Sequence, residues 1–251
     1  MDLQLKDKMA LVTGASMGIG RAIAKGLAAE GATVAIVARR RNLLEELAEE
    51  IVSDGGTRPS IVATDVLEDG APKKLAHAAR DALGRIDILI NSAGGSQPPI
   101  MIDAPDEAWD FAMTLNFVRT RQLTHALLPG MIARQWGRVV NITGKSEPDH
   151  LIAATPSKAA VHAWSKGLSR EVGKHGITVN CIPPGRIMSE QIRRKYSDEF
   201  RAEQSAKEIP VGRYGEPHEL AALAVFLASP VACYITGAVL PVDGGLRRYA
   251  F

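Results

Sequence analysis

Seven short apolar runs punctuate the chain: MALVTG, TVAIVA, PSIVATD, IDILINSAG, GRVVNIT, GITVNCI and GAVLPVDGG. They are rich in Val and Ile and apolar throughout instead of alternating. That is the pattern of strands buried on both faces of a parallel sheet. Helical periodicity lies between them, at about 18–30, 41–54, 69–83, 105–134, 156–174 and 216–228. Glycine stop signals close two of these segments, in AAEGA and DALGR. Strand and helix in alternation predict an α/β fold, a doubly wound parallel sheet of about seven strands with helices on both faces. No repeat, low-complexity tract or linker divides residues 1–251, so a single domain is expected. The one long interruption, 183–210, is charged and holds a helical piece around 189–207. An insertion of that length between elements reads as a substrate lid.

Composition narrows the class further. The 251 residues suffice to bury roughly 70–75% of the surface of the unfolded chain, so a core needs no staples. A net charge of +2 gives no global attraction to nucleic acid or an anionic membrane. Two distant cysteines, Cys181 and Cys233, build neither a disulfide framework nor a zinc spacing, which suits a reducing cytoplasm; no metal is expected. The opening MDLQLKDKMALVTG has no long apolar region before its first strand, so no signal peptide is expected. Leu220 to Val242 carries no charge, long enough for a membrane span, yet Ser229-Pro230 and Thr236-Gly237 interrupt it. It reads as a buried helix followed by a short strand.

The first chemical motif is TGASMGIG, Thr13 to Gly20, between a strand and a helix. Gly14 permits a tight turn, and Gly18 and Gly20 let backbone approach a pyrophosphate. The helix N-terminus adds N–H groups and partial positive charge. At the end of the second strand, where a site for NAD places an acidic residue, this chain has Arg39 and Arg40. Paired guanidinium hydrogen bonds suit a 2′-phosphate, with Ser16 adding a hydroxyl, so NADP is expected over NAD.

With these residues the chain resembles the short-chain dehydrogenase/reductase family, and within it the 3-oxoacyl-ACP reductases. The likeness runs over nearly the whole length. Gly14, Gly18, Ile19 and Gly20 match the family's cofactor loop in a single-domain Rossmann fold. Asp65-Val66 matches the pair that touches adenine. NSAG, with Asn91, Ala93 and Gly94, is similar to Asn-Asn-Ala-Gly, Ser92 replacing one Asn. Asn116 matches the helix asparagine that supports a proton relay. Pro184-Gly185 matches the turn after strand six, with Ile187 and Ser189 following it in the cofactor set. The resemblance implies hydride transfer between NADP and the carbonyl or alcohol carbon of a small-molecule substrate, in a cytoplasmic homotetramer.

One departure bears on catalysis. SKAAVHAW aligns Lys158 with the family's lysine, but four residues earlier stands Ala154, not the tyrosine that supplies the proton. Gly144 stands where a serine would hold the substrate oxygen, with Thr143 and Ser146 nearby. Asn116, Thr143 and Lys158 are therefore the expected catalytic set. Lys145, His150, Lys158, Tyr196 and Tyr249 are the alternative proton donors. Three readings stay open: an oxidoreductase with an atypical acid, a non-catalytic NADP-binding homologue, and an enzyme of the same fold with other chemistry such as isomerisation or dehydration.

Overall fold

The apolar runs form a parallel sheet in the order β3-β2-β1-β4-β5-β6. The strands are β1 (Met9–Thr13), β2 (Thr33–Ala38), β3 (Ser60–Ala63), β4 (Ile88–Asn91), β5 (Gly137–Ile142) and β6 (Ile177–Ile182). The computed structural model describes residues 1–95, 102–144 and 150–248. The helices are α1 (Gly18–Ala29), α2 (Arg41–Ser53), α3 (Ala71–Leu83), α4 (Asp106–Met113), α5 (Arg119–Ala133), α6 (Ala154–Val172), α7 (Glu190–Lys195), α8 (Asp198–Glu208) and α9 (Pro217–Ala228).

Both faces of the sheet are covered except at its edge strand β3, whose residues are half-buried or exposed. Ala10, Val12, Ile36, Ile88 and Ile90 pack on one face against α1, α2 and α9. Leu11, Val37, Leu89, Val139 and Val179 pack on the other against α3 and α5. Successive residues of one strand thus enter opposite cores, the period-two geometry of a pleated strand. The strand order reverses direction between β1 and β4, and such a switch point opens a crevice at the carboxyl ends of the strands.

Two expectations need correction. Among the described residues the sheet has six strands, not about seven. The segment 237–242 runs parallel beside β6 but only bridges it, at Cys181–Val239 and Pro184–Val242. Leu240 N–H donates to the Cys181 carbonyl and Val242 N–H to the Pro183 carbonyl. Pro183, the next residue in line to donate after Cys181, has no N–H, so the ladder is broken there. The long helix expected over 105–134 is also interrupted. Between α4 and α5 the chain widens into one π-helical turn, Thr114–Val118, with Asn116 at its middle. Asn116 Nδ2 donates to the Ala112 carbonyl at 3.0 Å, covering an oxygen of the preceding turn. Such turns concentrate at functional sites.

The uncharged stretch 220–242 divides into α9 and the bridging segment, and among the described residues no helix is long and apolar enough to cross a membrane. The 183–210 insertion folds as α7 and α8, capped by the Ser189 and Ser197 hydroxyls.

Candidate cofactor and catalytic site

The switch point holds a cavity of about 570 Å³. Its floor is the turn between β1 and α1. Thr13 Oγ1 accepts from the backbone N–H groups of both Ser92 and Ala93, at 3.1 and 3.0 Å, and ties the end of β1 to the end of β4. Gly14 has a φ of 68°, where side chains are strained. A Cβ on Gly20 would lie 2.4 Å from the Gly14 carbonyl oxygen, so the turn closes on α1 only without side chains. This leaves bare backbone and a helix N-terminus facing the cavity, a cradle that fits a pyrophosphate.

The cavity's rim beside β2 is basic. Arg40 Nη2 donates to Ser16 Oγ at 3.5 Å, and Arg39 Nη1 lies 3.8 Å from Asp65 Oδ2. Asp65 also accepts from the Leu67 N–H at 2.9 Å. Ser16, Ile19, Arg39, Arg40, Asp65 and Val66 all line the cavity, and so do Ala93, Gly94, Thr143, Lys158 and Pro184. Ser189 caps α7 by accepting from Ile192 N–H at 3.2 Å, and its Cβ lies 4.0 Å from where a Cβ of Gly18 would be. The Gly185 N–H donates to Val242 O at 2.9 Å, locking the turn after β6.

Two residues expected at the cofactor turn their side chains elsewhere. Asn91 points its amide inward, donating to Asn141 Oδ1 at 2.8 Å and Thr124 Oγ1 at 3.1 Å. Asn141 continues the chain to Ser165 Oγ at 2.9 Å. The Ile187 side chain is buried in the core, and its backbone bridges to Gly215.

A corner beside the cavity gathers Asn116, Thr143 and Lys158, the expected catalytic set, from three elements. Lys158 Nζ donates to the Thr143 carbonyl at 2.9 Å. Asn116 Oδ1 accepts from the Gly95 N–H at 3.0 Å. A Cβ on Gly94 would lie 2.9 Å from Asn116 Oδ1 and 3.8 Å from Lys158 Nζ, so these groups share one wall. A Cβ on Gly144 would sit 2.8 Å from Lys158 Cδ. Serine at that position would therefore displace the lysine. Ala154, at the first turn of α6, is buried.

Among the alternative donors, His150 is exposed and Tyr196 stacks on Phe200 with centroids 4.9 Å apart. Lys145, Ser146 and Tyr249 lie outside the described residues. The sequence reading missed His162, whose Nε2 is 2.7 Å from Thr143 Oγ1. Its signal was present: His162 is four residues after Lys158, on the same face of α6.

Burial governs the electrostatics here. Desolvation of the Lys158 ammonium lowers its pKa from 10.5 to about 8. Below pH 8 the lysine is charged folded and unfolded, and the native state carries the full desolvation cost. Between about pH 8 and 10.5 only the unfolded chain holds the proton, so this contribution makes stability rise with pH. Lys158→Met should therefore exceed wild type in stability by most below pH 8, the margin shrinking toward pH 10.5. Urea unfolding of both proteins across that range checks this.

Residues 14–247 match the family model for enoyl-(acyl carrier protein) reductase. The chain is 37% identical to a rhamnolipid-biosynthesis 3-oxoacyl-(acyl-carrier-protein) reductase of Pseudomonas aeruginosa, over 97% of each chain. It is 36% identical to the 3-oxoacyl-(acyl-carrier-protein) reductase FabG of Vibrio harveyi, over 97% of this chain and 99% of that one. Among solved structures, L-sorbose reductase of Gluconobacter frateurii, complexed with NADPH and L-sorbose, superposes with a TM-score of 0.93 at 33% identity. That match covers 99% of this chain and 100% of the other.

Proposed function

Because the chain belongs to the short-chain dehydrogenase/reductase family, we propose that it is an NADP-dependent oxidoreductase of a carbonyl or alcohol substrate, with Lys158 as its proton donor. The observation that carries this reading is the position of Lys158: a desolvated ammonium on the cavity wall, anchored to Thr143 and beside Asn116. An acid with a pKa near the working pH transfers protons efficiently, and about 8 is close to it.

The cradle at Gly14, Gly18 and Gly20 would hold the pyrophosphate, Arg39, Arg40 and Ser16 the 2′-phosphate, and Asp65 and Val66 the adenine. When bound, the nicotinamide supplies or accepts the hydride. Ala93, Gly94 and Pro184 shape the wall beside it. Lys158 gives its proton to the oxygen of the carbonyl being reduced and takes one back in the reverse direction. In water that proton transfer would need a separate encounter; here the donor is already in place.

Ala154 and Gly144 favour a second reading, a cofactor-binding homologue without the reaction. The two readings differ in one assay, NADPH oxidation across a panel of carbonyls. The panel includes a 3-oxoacyl thioester and L-sorbose, the ketones in the relatives' names. Wild type is expected to turn over at least one member. Ala154→Tyr should then lower that rate by about tenfold or more, because a ring at a buried helix start overpacks the corner. A wild type inert throughout, with activity appearing in Ala154→Tyr, would establish the second reading.

The family relationship also supports a cytoplasmic homotetramer, and α5 and α6 would form one interface. Light scattering at micromolar concentration should give four times 26.9 kDa; a monomer mass would refute it.

A further inference from the structure

Thr143 is held at both ends by one helix. Its carbonyl accepts from Lys158 Nζ at 2.9 Å, and its hydroxyl lies 2.7 Å from His162 Nε2, one turn further along α6. The residue is buried and lines the cavity at the end of β5. The next position offers no hydroxyl, because a Cβ on Gly144 would meet Lys158 Cδ at 2.8 Å. Among the described residues of this strand end, Thr143 carries the hydroxyl that lines the cavity.

A hydroxyl has one proton to give. If His162 Nε2 is bare, it takes the Thr143 proton, and the hydroxyl has nothing to donate to a substrate. If Nε2 carries the hydrogen, it donates to Thr143 Oγ1 and leaves the Thr143 proton free to turn elsewhere. The direction of this one hydrogen bond decides what the hydroxyl can do. The ring is kept neutral chiefly by desolvation, with the Arg247 and Lys158 cations also lowering its pKa. A neutral imidazole has a single N–H, so the choice of nitrogen is a real choice.

We infer that His162 is a positioning residue: with its hydrogen on Nε2, it aims the Thr143 hydroxyl proton into the cavity, where that hydroxyl holds the substrate oxygen beside Lys158. This rests on the oxidoreductase reading above and adds to it the group that binds the reacting oxygen. The atoms balance simply. Lys158 transfers the proton, while Thr143 and His162 keep theirs and only orient a hydrogen bond.

Two measurements test the inference. The first needs no turnover. The ¹⁵N imidazole shifts of the labelled protein with NADPH, with His162 assigned by its loss in His162→Gln, should report a protonated Nε2. A ring protonated at Nδ1 alone overturns the inference. The second is kinetic. His162→Phe should lower kcat by roughly 100-fold, the low end of what removing one oxyanion donor costs, with NADPH affinity unchanged. Thr143→Val should match it, and the double variant should lose little more, as expected of residues acting as a unit. His162→Gln, whose amide N–H can take the place of Nε2–H, should recover most of the rate. A Gln variant as slow as Phe, or additive losses at 143 and 162, would mean that the contact only packs the helix. A wild type inert toward every carbonyl sinks the oxidoreductase reading. An active wild type indifferent to His162→Phe sinks this inference alone.

Discussion

Lys158→Met is expected to reduce kcat for NADPH-linked carbonyl reduction by roughly 10²–10⁴-fold, the usual cost of removing a positioned general acid. Two roles for this lysine must be told apart, since the family resemblance also has it holding the nicotinamide ribose. Lys158→Arg separates them. A guanidinium keeps the positive charge but does not release its proton near neutral pH. Cofactor affinity should therefore survive in Lys158→Arg while the rate does not. The pH profile makes the same point. Reduction requires the protonated amine, so wild-type kcat/KM should fall as pH rises through about 8. Steady-state NADPH oxidation from pH 6 to 10, with fluorescence titration of NADPH, measures both. A Lys158→Arg enzyme as fast as wild type would show that the lysine acts only as a cation.

Arg39→Ala combined with Arg40→Ala should weaken NADPH binding by roughly 30–150-fold and leave NADH nearly unaffected. Hydrogen bonds to charged groups contribute about 1.5–3 kcal/mol each. Both guanidiniums are exposed, and solvent screening reduces that to about 1–1.5 kcal/mol apiece. About 1.4 kcal/mol is tenfold in affinity, which sets the combined figure. Arg40, next to Ser16, should carry the larger share; Arg39 already divides its charge with Asp65 at 3.8 Å. Isothermal titration with both cofactors decides it. An unchanged ratio of NADPH to NADH affinity would remove the 2′-phosphate from this rim.

The sheet was legible because unbroken Val- and Ile-rich runs cannot face water on either side, and their alternation with helical periods leaves few topologies. The glycine turn was legible too, since Gly14 and Gly20 sit where a Cβ would strike backbone. So was the missing phenol: no change of register puts a tyrosine near Lys158. These are local properties, set by residues close together along the chain. What only the tertiary structure decided depends on where distant backbones end up. Asn91 turns inward because the pleat at the end of β4 aims it at Asn141, fifty residues away. The last apolar run stops at bridges because Pro183, which continues β6 beside it, has no N–H to give where the ladder calls for one. Thr143 and His162 meet because α6 folds back over the end of β5 and brings one turn of helix against it, and no period within either segment encodes that crossing. Gly144 is small for the same reason: the space a side chain would fill is already taken by the Lys158 stem, an atom fourteen residues further along the chain.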